Sequence, residues 1–114
     1  MNRLFTILIF LVLFFVAPNI KGQSIYVTDV ESWADFSVYV TNVELWADLV
    51  VYVEDVESWA TGNKGLWYFT DVESWSDKSV YYTDVESWSD LVIYYTNVES
   101  WAGWKDTSKK YLLD

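Results

Sequence analysis

From Ile25 onward, short apolar runs and short polar runs alternate on a 13-residue period. The unit is clearest in Val38-Tyr39-Val40-Thr41-Asn42-Val43-Glu44-Leu45-Trp46-Ala47-Asp48-Leu49-Val50, and it occurs six times, beginning at Ile25, Val38, Val51, Trp67, Val80 and Ile93. The first position is always apolar and the second always Tyr. The third is Val27, Val40, Val53, Phe69, Tyr82 or Tyr95. The fourth is Thr in every copy but one, where Glu54 stands, and the fifth is Asp or Asn. The sixth is always Val, the seventh always Glu and the ninth always Trp. The tenth is Ala or Ser, the eleventh is usually Asp, and the last two vary most. Such recurrence within one chain marks the positions that the architecture uses in every unit.

Each unit divides into a strand and a corner. Leu49-Val50-Val51-Tyr52-Val53 is β-branched and aromatic, as strands are. Side chains alternate between faces, so Leu49, Val51 and Val53 share an apolar face assigned to the core, and Val50 and Tyr52 the other. The Tyr face is expected to be half-buried, with its hydroxyls reaching water or backbone. The Asp-Val-Glu-Ser-Trp-Ala-Asp part predicts a tight corner with a turn or two of 3₁₀ or α character, its Val and Trp tucked back over the sheet. A wholly helical unit is disfavoured by the Val-Tyr-Val runs.

Three copies run unbroken from Ile25 to Asn63, Lys64-Gly65-Leu66 is inserted, and three more run from Trp67 to Lys105. The chain is thus two pseudo-symmetric halves offset by 42 residues. Thr61-Gly62-Asn63-Lys64-Gly65 is the loop signal between them and reads as a crossover. Three short strands could hardly bury a core by themselves, so the halves should form a single domain over residues 23–114. Lys110-Tyr111-Leu112 resembles a worn seventh strand. A strand plus a corner as half a coil predicts an all-β fold of about three turns: a compact two-sheet sandwich or solenoid.

Residues 1–22 stand apart. Met1-Asn2-Arg3 is a short positive start, and Leu4 to Ala17 is apolar except for Thr6. Pro18 to Gly22 then precedes Gln23. This is the layout of a secretory signal peptide cut near Gly22. The run is short of the roughly 20 residues of a spanning helix. The expected localisation is secreted or periplasmic, with no membrane association after cleavage. Removal of Arg3 and Lys21 leaves 5 basic against 17 acidic residues, a net charge of −12. That balance argues against nucleic acid, whose phosphates need clustered Lys and Arg. It fits a self-repelling, monomeric surface. Export permits disulfides, but this chain has no Cys, so its stability must come from packing.

The run Asp-Val-Glu-Ser-Trp-Ala-Asp-Leu-Val-Val-Tyr-Val resembles the Glu-Ser-x-Ala-Asp-Leu-x-Val-Tyr repeat of the septoil-knot proteins, small bacterial β-proteins. The resemblance covers about Ile25 to Leu113. Trp in the corner, where Gln is common in the family, and the 16-residue spacing between Trp59 and Trp75 are departures. The resemblance implies a compact β domain whose chain forms a deep seven-crossing torus knot, although true knots are nearly absent elsewhere. It implies no activity, and it transfers no functional residue.

The residues offer little chemistry. Nucleophilic triads and most metal catalysis lean on His or Cys, and neither occurs. Glu31, Glu44, Glu57, Glu73, Glu86 and Glu99 recur once per unit. A catalytic site is one asymmetric constellation, so each Glu is expected to cap its own corner. Calcium loops alternate Asp and Gly, whereas Val and Trp stand between these acids. No cofactor or metal is expected. Trp33, Trp46, Trp59, Trp75, Trp88 and Trp101 are expected to pack in core or corner. Trp67 and Trp104 fall outside that column and are the candidate partner contacts. The leading expectation is a non-enzymatic structural or interaction module. The alternative is a carbohydrate-binding module using exposed Trp and acidic residues, and an acidic-residue hydrolase comes third.

Overall fold

The computed structural model describes residues 23–114; the expected signal peptide lies outside them. The chain is all-β, with seven strands: β1 (Ser24–Val27), β2 (Phe36–Val40), β3 (Leu49–Val53), β4 (Leu66–Phe69), β5 (Lys78–Tyr82), β6 (Leu91–Tyr95) and β7 (Gly103–Trp104). One 3₁₀ turn, always Glu-Ser-Trp or Glu-Leu-Trp, follows each of β1 to β6. The strand-and-corner reading of the unit therefore describes the local structure well.

The arrangement differs from a sandwich or solenoid. The strands lie in the order β4-β1-β5-β2-β6-β3, and β3 pairs back onto β4. This closes a barrel of six strands, every neighbour in it parallel. Strands of the second half fill the gaps between strands of the first. Parallel neighbours require a connection that returns each strand's end to the starting end of the barrel. Eight residues, such as Thr28 to Asp35 between β1 and β2, make that return on the outside. Each unit thus advances two strands of six, a third of a turn rather than half, and steps over one strand as it does so. The β3–β4 connection is the exception, since these strands are neighbours.

The Asp at the eleventh position fastens the returns. Asp35 pairs with Ser79 of the strand it steps over, Asp48 with Val92, Asp77 with Ser24 and Asp90 with Ser37. In each pair the Asp amide donates to the partner's carbonyl, and the partner's amide donates to Asp Oδ2. Thr61 and Gly103 occupy this column in the other two copies: Thr61 precedes β4, the direct neighbour of β3, and Gly103 stands where the chain, having crossed β3, pairs antiparallel with Val50.

The core is the barrel interior. The whole first column, Ile25, Val38, Val51, Trp67, Val80 and Ile93, is inaccessible to solvent. Phe36, Leu49 and Leu91 pack with it in one cluster. The expected core face is therefore correct for Leu49 and Val51 but not for Val53, which is exposed with Val40 at the end of its strand. Val50, on the outer face, is buried because a covering segment crosses there; Ser24, Ser37, Ser79 and Val92 are buried at the same position of their units.

The C-terminal segment closes the other end. The short β7 runs antiparallel to β3, with Leu49 opposite Trp104 and Val50 opposite Gly103. The worn seventh strand expected at Lys110-Tyr111-Leu112 is instead part of a 3₁₀ helix, Thr107–Leu113. Asp106 caps it, accepting from the Ser108 amide at 3.1 Å. Leu113 enters the core cluster, and its carbonyl accepts from Gln23 Nε2 at 3.2 Å.

Candidate functional site

The corner tryptophans do not pack. Trp33, Trp46, Trp59, Trp75, Trp88 and Trp101 are 59–70% exposed. A three-residue turn on the outside of a closed barrel has only one side to lay against it. In most copies that side is taken by Thr, by Ala or Ser, and by the clamping Asp, so the three-residue apex projects. Single exposed aromatics are ordinary on protein surfaces. Six equivalent ones, on turns spaced around one barrel, form a repeated aromatic surface bordered by acids.

The glutamates do not cap their corners either. Every one of the six turns begins on Val without a side-chain cap. The preceding Thr does that work: Thr28, Thr41, Thr70, Thr83 and Thr96 each accept the Val amide two residues on, at 3.1–3.2 Å. A Thr hydroxyl reaches its i+2 amide within the turn, which competes well with a longer Glu side chain.

Neither candidate contact is free. Trp67 is wholly buried and fills the barrel interior, edge-on to Phe69 with ring centroids 6.1 Å apart. Its Nε1–H finds no acceptor. Trp104 is half-buried, and its Nε1–H is shared between the carbonyl and the side-chain oxygen of Asn63, at 3.2 and 3.0 Å. Both break the column for packing reasons at the join between the halves.

That join also holds the most asymmetric site. The edge of β3 is divided there. β4 pairs with Tyr52 and Val53, and β7 with Leu49 and Val50. A cleft of about 890 Å³ opens beside them, lined by Tyr52, Glu54, Trp59, Lys64, Glu99 and Ala102 among others. Glu54 replaces the Thr of the other five copies. Its side chain is only 5% exposed, and its Oε2 has no hydrogen-bond partner. Burial, the adjoining Glu99 carboxyl and the charge of Asp55 push its pKa up to about 7. The break in the Thr column was visible in the sequence; its burial beside Glu99 was not.

The strand ends form a second feature. Tyr82 and Tyr95 hydroxyls meet at 2.7 Å beside Tyr26, Val27 and Phe69. Burial raises the pKa of both phenols.

A closed barrel of six short parallel strands with outside returns, built from a recurring strand-and-turn unit, defines a β-repeat barrel. The chain belongs to the septoil-knot family: the model of the 7(1) septoil knot domain matches residues 22–105. No curated protein and no solved structure matches it.

Proposed function

We propose that this protein is an exported, non-enzymatic interaction module whose six corner tryptophans form its contact surface. The carrying observation is their uniform exposure of 59–70%. Tryptophan is the side chain most favoured at the energetic centre of interfaces, and here it is placed outward six times on a rigid frame. The finer topology belongs to the same proposal: the path is a deep knot. Interleaved halves, and four connections that each step outside a barrel strand, support it. Such a chain must be unthreaded before it can be degraded, which suits an extracellular life without disulfides.

A second reading, carbohydrate binding, is favoured by one specific feature. Each exposed indole follows a Glu two residues earlier, so a face for a sugar ring stands near a carboxylate for its hydroxyls. Hydrolysis is not favoured. A glycosidase needs its two carboxyls about 5 Å or more apart, with the scissile bond between them. Glu54 and Glu99 instead act on one another directly.

The test compares the parent chain with a variant carrying Trp33→Ser, Trp46→Ser, Trp75→Ser, Trp88→Ser and Trp101→Ser, against arrayed glycans and exported proteins. Binding that disappears in the variant supports the contact surface, and its location on the array separates the two readings. Binding retained in the variant, or turnover of any glycan, contradicts it.

A further inference from the structure

We propose that the cleft at the join of the two halves binds a ligand carrying a primary alkylammonium group, held between Glu54 and Glu99 with its alkyl chain along Trp59 and Tyr52. This goes beyond the aromatic contact surface and does not depend on it.

Three observations lead there. First, Glu54 lines the cleft while 5% exposed, and its Oε2 is shielded from solvent with no protein N–H or O–H donating to it. A buried polar atom without a partner is costly, and its persistence needs an explanation. Second, the surrounding charge is negative. Glu99 lies on the turn after β6 and Asp55 follows β3, and both raise the Glu54 pKa by their charge. Two carboxyls this close relieve their repulsion by sharing a proton or by taking a cation. Third, the walls suit an organic cation. Tyr52, Leu66 and Ala102 supply apolar surface, and Trp59 supplies an aromatic face. An indole beside an ammonium group adds a cation–π attraction.

Competing occupants fit less well. Calcium takes six to eight oxygens, and among the described residues no three acids are placed to hold one metal ion. A neutral sugar would leave the repulsion between the carboxyls untouched. Lys64 also lines the cleft, but it is exposed at the rim. The ion pairs found among the described residues are Lys105–Glu44 and Lys109–Asp48. Lys64 therefore does not neutralise Glu54, and its charge opposes an incoming cation.

The ammonium takes the place of the proton held by the pair. Binding must expel that proton below neutral pH, so affinity rises with pH up to the Glu54 pKa. Glu99, Asp55, Lys64 and Tyr52 are the titratable groups that face Glu54 across this cleft or along its strand.

The experiment is an NMR shift titration of the full chain with n-butylammonium chloride. Nα-acetyl-lysine methylamide in a parallel arm distinguishes a free amine from a lysine side chain. Calcium chloride and methyl glucoside serve as rivals. The expected result is saturable shifts at Tyr52, Trp59 and Ala102, roughly tenfold tighter at pH 8 than at pH 6. Glu54→Thr and Glu54→Gln should each weaken binding at least tenfold. Lys64→Ala should bind as tightly as the parent or tighter. Thr already stands at this position in five copies, so the first variant keeps the fold. No saturable shift, affinity in either Glu54 variant equal to the parent's, or preference for calcium or methyl glucoside would overturn the proposal.

Discussion

Asp35 and Ser79 are tied by two hydrogen bonds across 44 residues. The Asp35 amide donates to the Ser79 carbonyl at 2.8 Å, and the Ser79 amide donates to Asp35 Oδ2 at 2.7 Å. The carboxylate thus extends the sheet ladder for one step where the backbone has left it. The same relation joins Asp77 to Ser24, so each half clamps the other. Ser79 is buried, and its amide would have no other partner. Asp35→Ala should therefore cost about 1–3 kcal/mol, the penalty of an orphaned buried donor. Asp35→Asn keeps an acceptor oxygen and should cost less. Urea unfolding midpoints of the two variants check the order.

Glu54 makes stability depend on pH in the opposite sense to a salt-bridged carboxylate. Its folded pKa is about 7, raised from 4.5. Between those values the folded chain holds a proton that the unfolded chain has released, so stability falls as pH rises. The penalty is absent below about pH 4 and complete above about pH 8. Glu54→Thr should match the parent in thermal midpoint at pH 4 and exceed it by roughly 10–20 °C at pH 8, since a shift from 4.5 to about 7 corresponds to about 3 kcal/mol and about 1 kcal/mol moves a domain of this size 4–8 °C. Calorimetry at the two pH values is the check.

Gly65 and Gly62 both adopt positive φ, at 85° and 68°, yet they should respond differently to Ala. A Cβ on Gly65 would collide with the Val50 carbonyl on β3, just before the residues that pair with β4. A Cβ on Gly62 would meet only the tip of Lys64 at 4.0 Å. Gly62→Ala should cost about 1 kcal/mol, the left-handed penalty alone. Gly65→Ala should cost roughly 2–4 kcal/mol more through the added clash. Denaturant titration of both variants distinguishes the two effects.

Trp67 and Trp46 should also part company. Trp67 is the largest fully buried side chain, and Trp67→Ala should cost about 3–5 kcal/mol. Trp46→Ala removes an exposed side chain and should lie within about 0.5 kcal/mol of the parent.

Much of the local structure was legible because the repeat reports local rules. Val38-Tyr39-Val40 alternates as a strand must, and Glu44-Leu45-Trp46 is too short for anything but a turn. The first column was readable as core, since it tolerates only apolar residues. The barrel was not legible, because neighbours such as Val27 and Val80 lie in different halves. No period within one half encodes that interleaving. Recurrence also misled at the ninth position. Identical residues in identical surroundings mark a repeated environment, but that environment can be solvent as readily as core. The Thr column held two signals, the turn cap in five copies and the cleft acid in the sixth, and only the departure pointed to a site.

The outward position of the corner tryptophans is the claim on which the contact surface rests. The most direct measurement follows the eight indole N–H signals by NMR while a soluble paramagnetic agent is added. Six signals should broaden together, those of residues 33, 46, 59, 75, 88 and 101, while that of Trp67 stays sharp. Protection of the six, or broadening of Trp67 alongside them, would contradict the account.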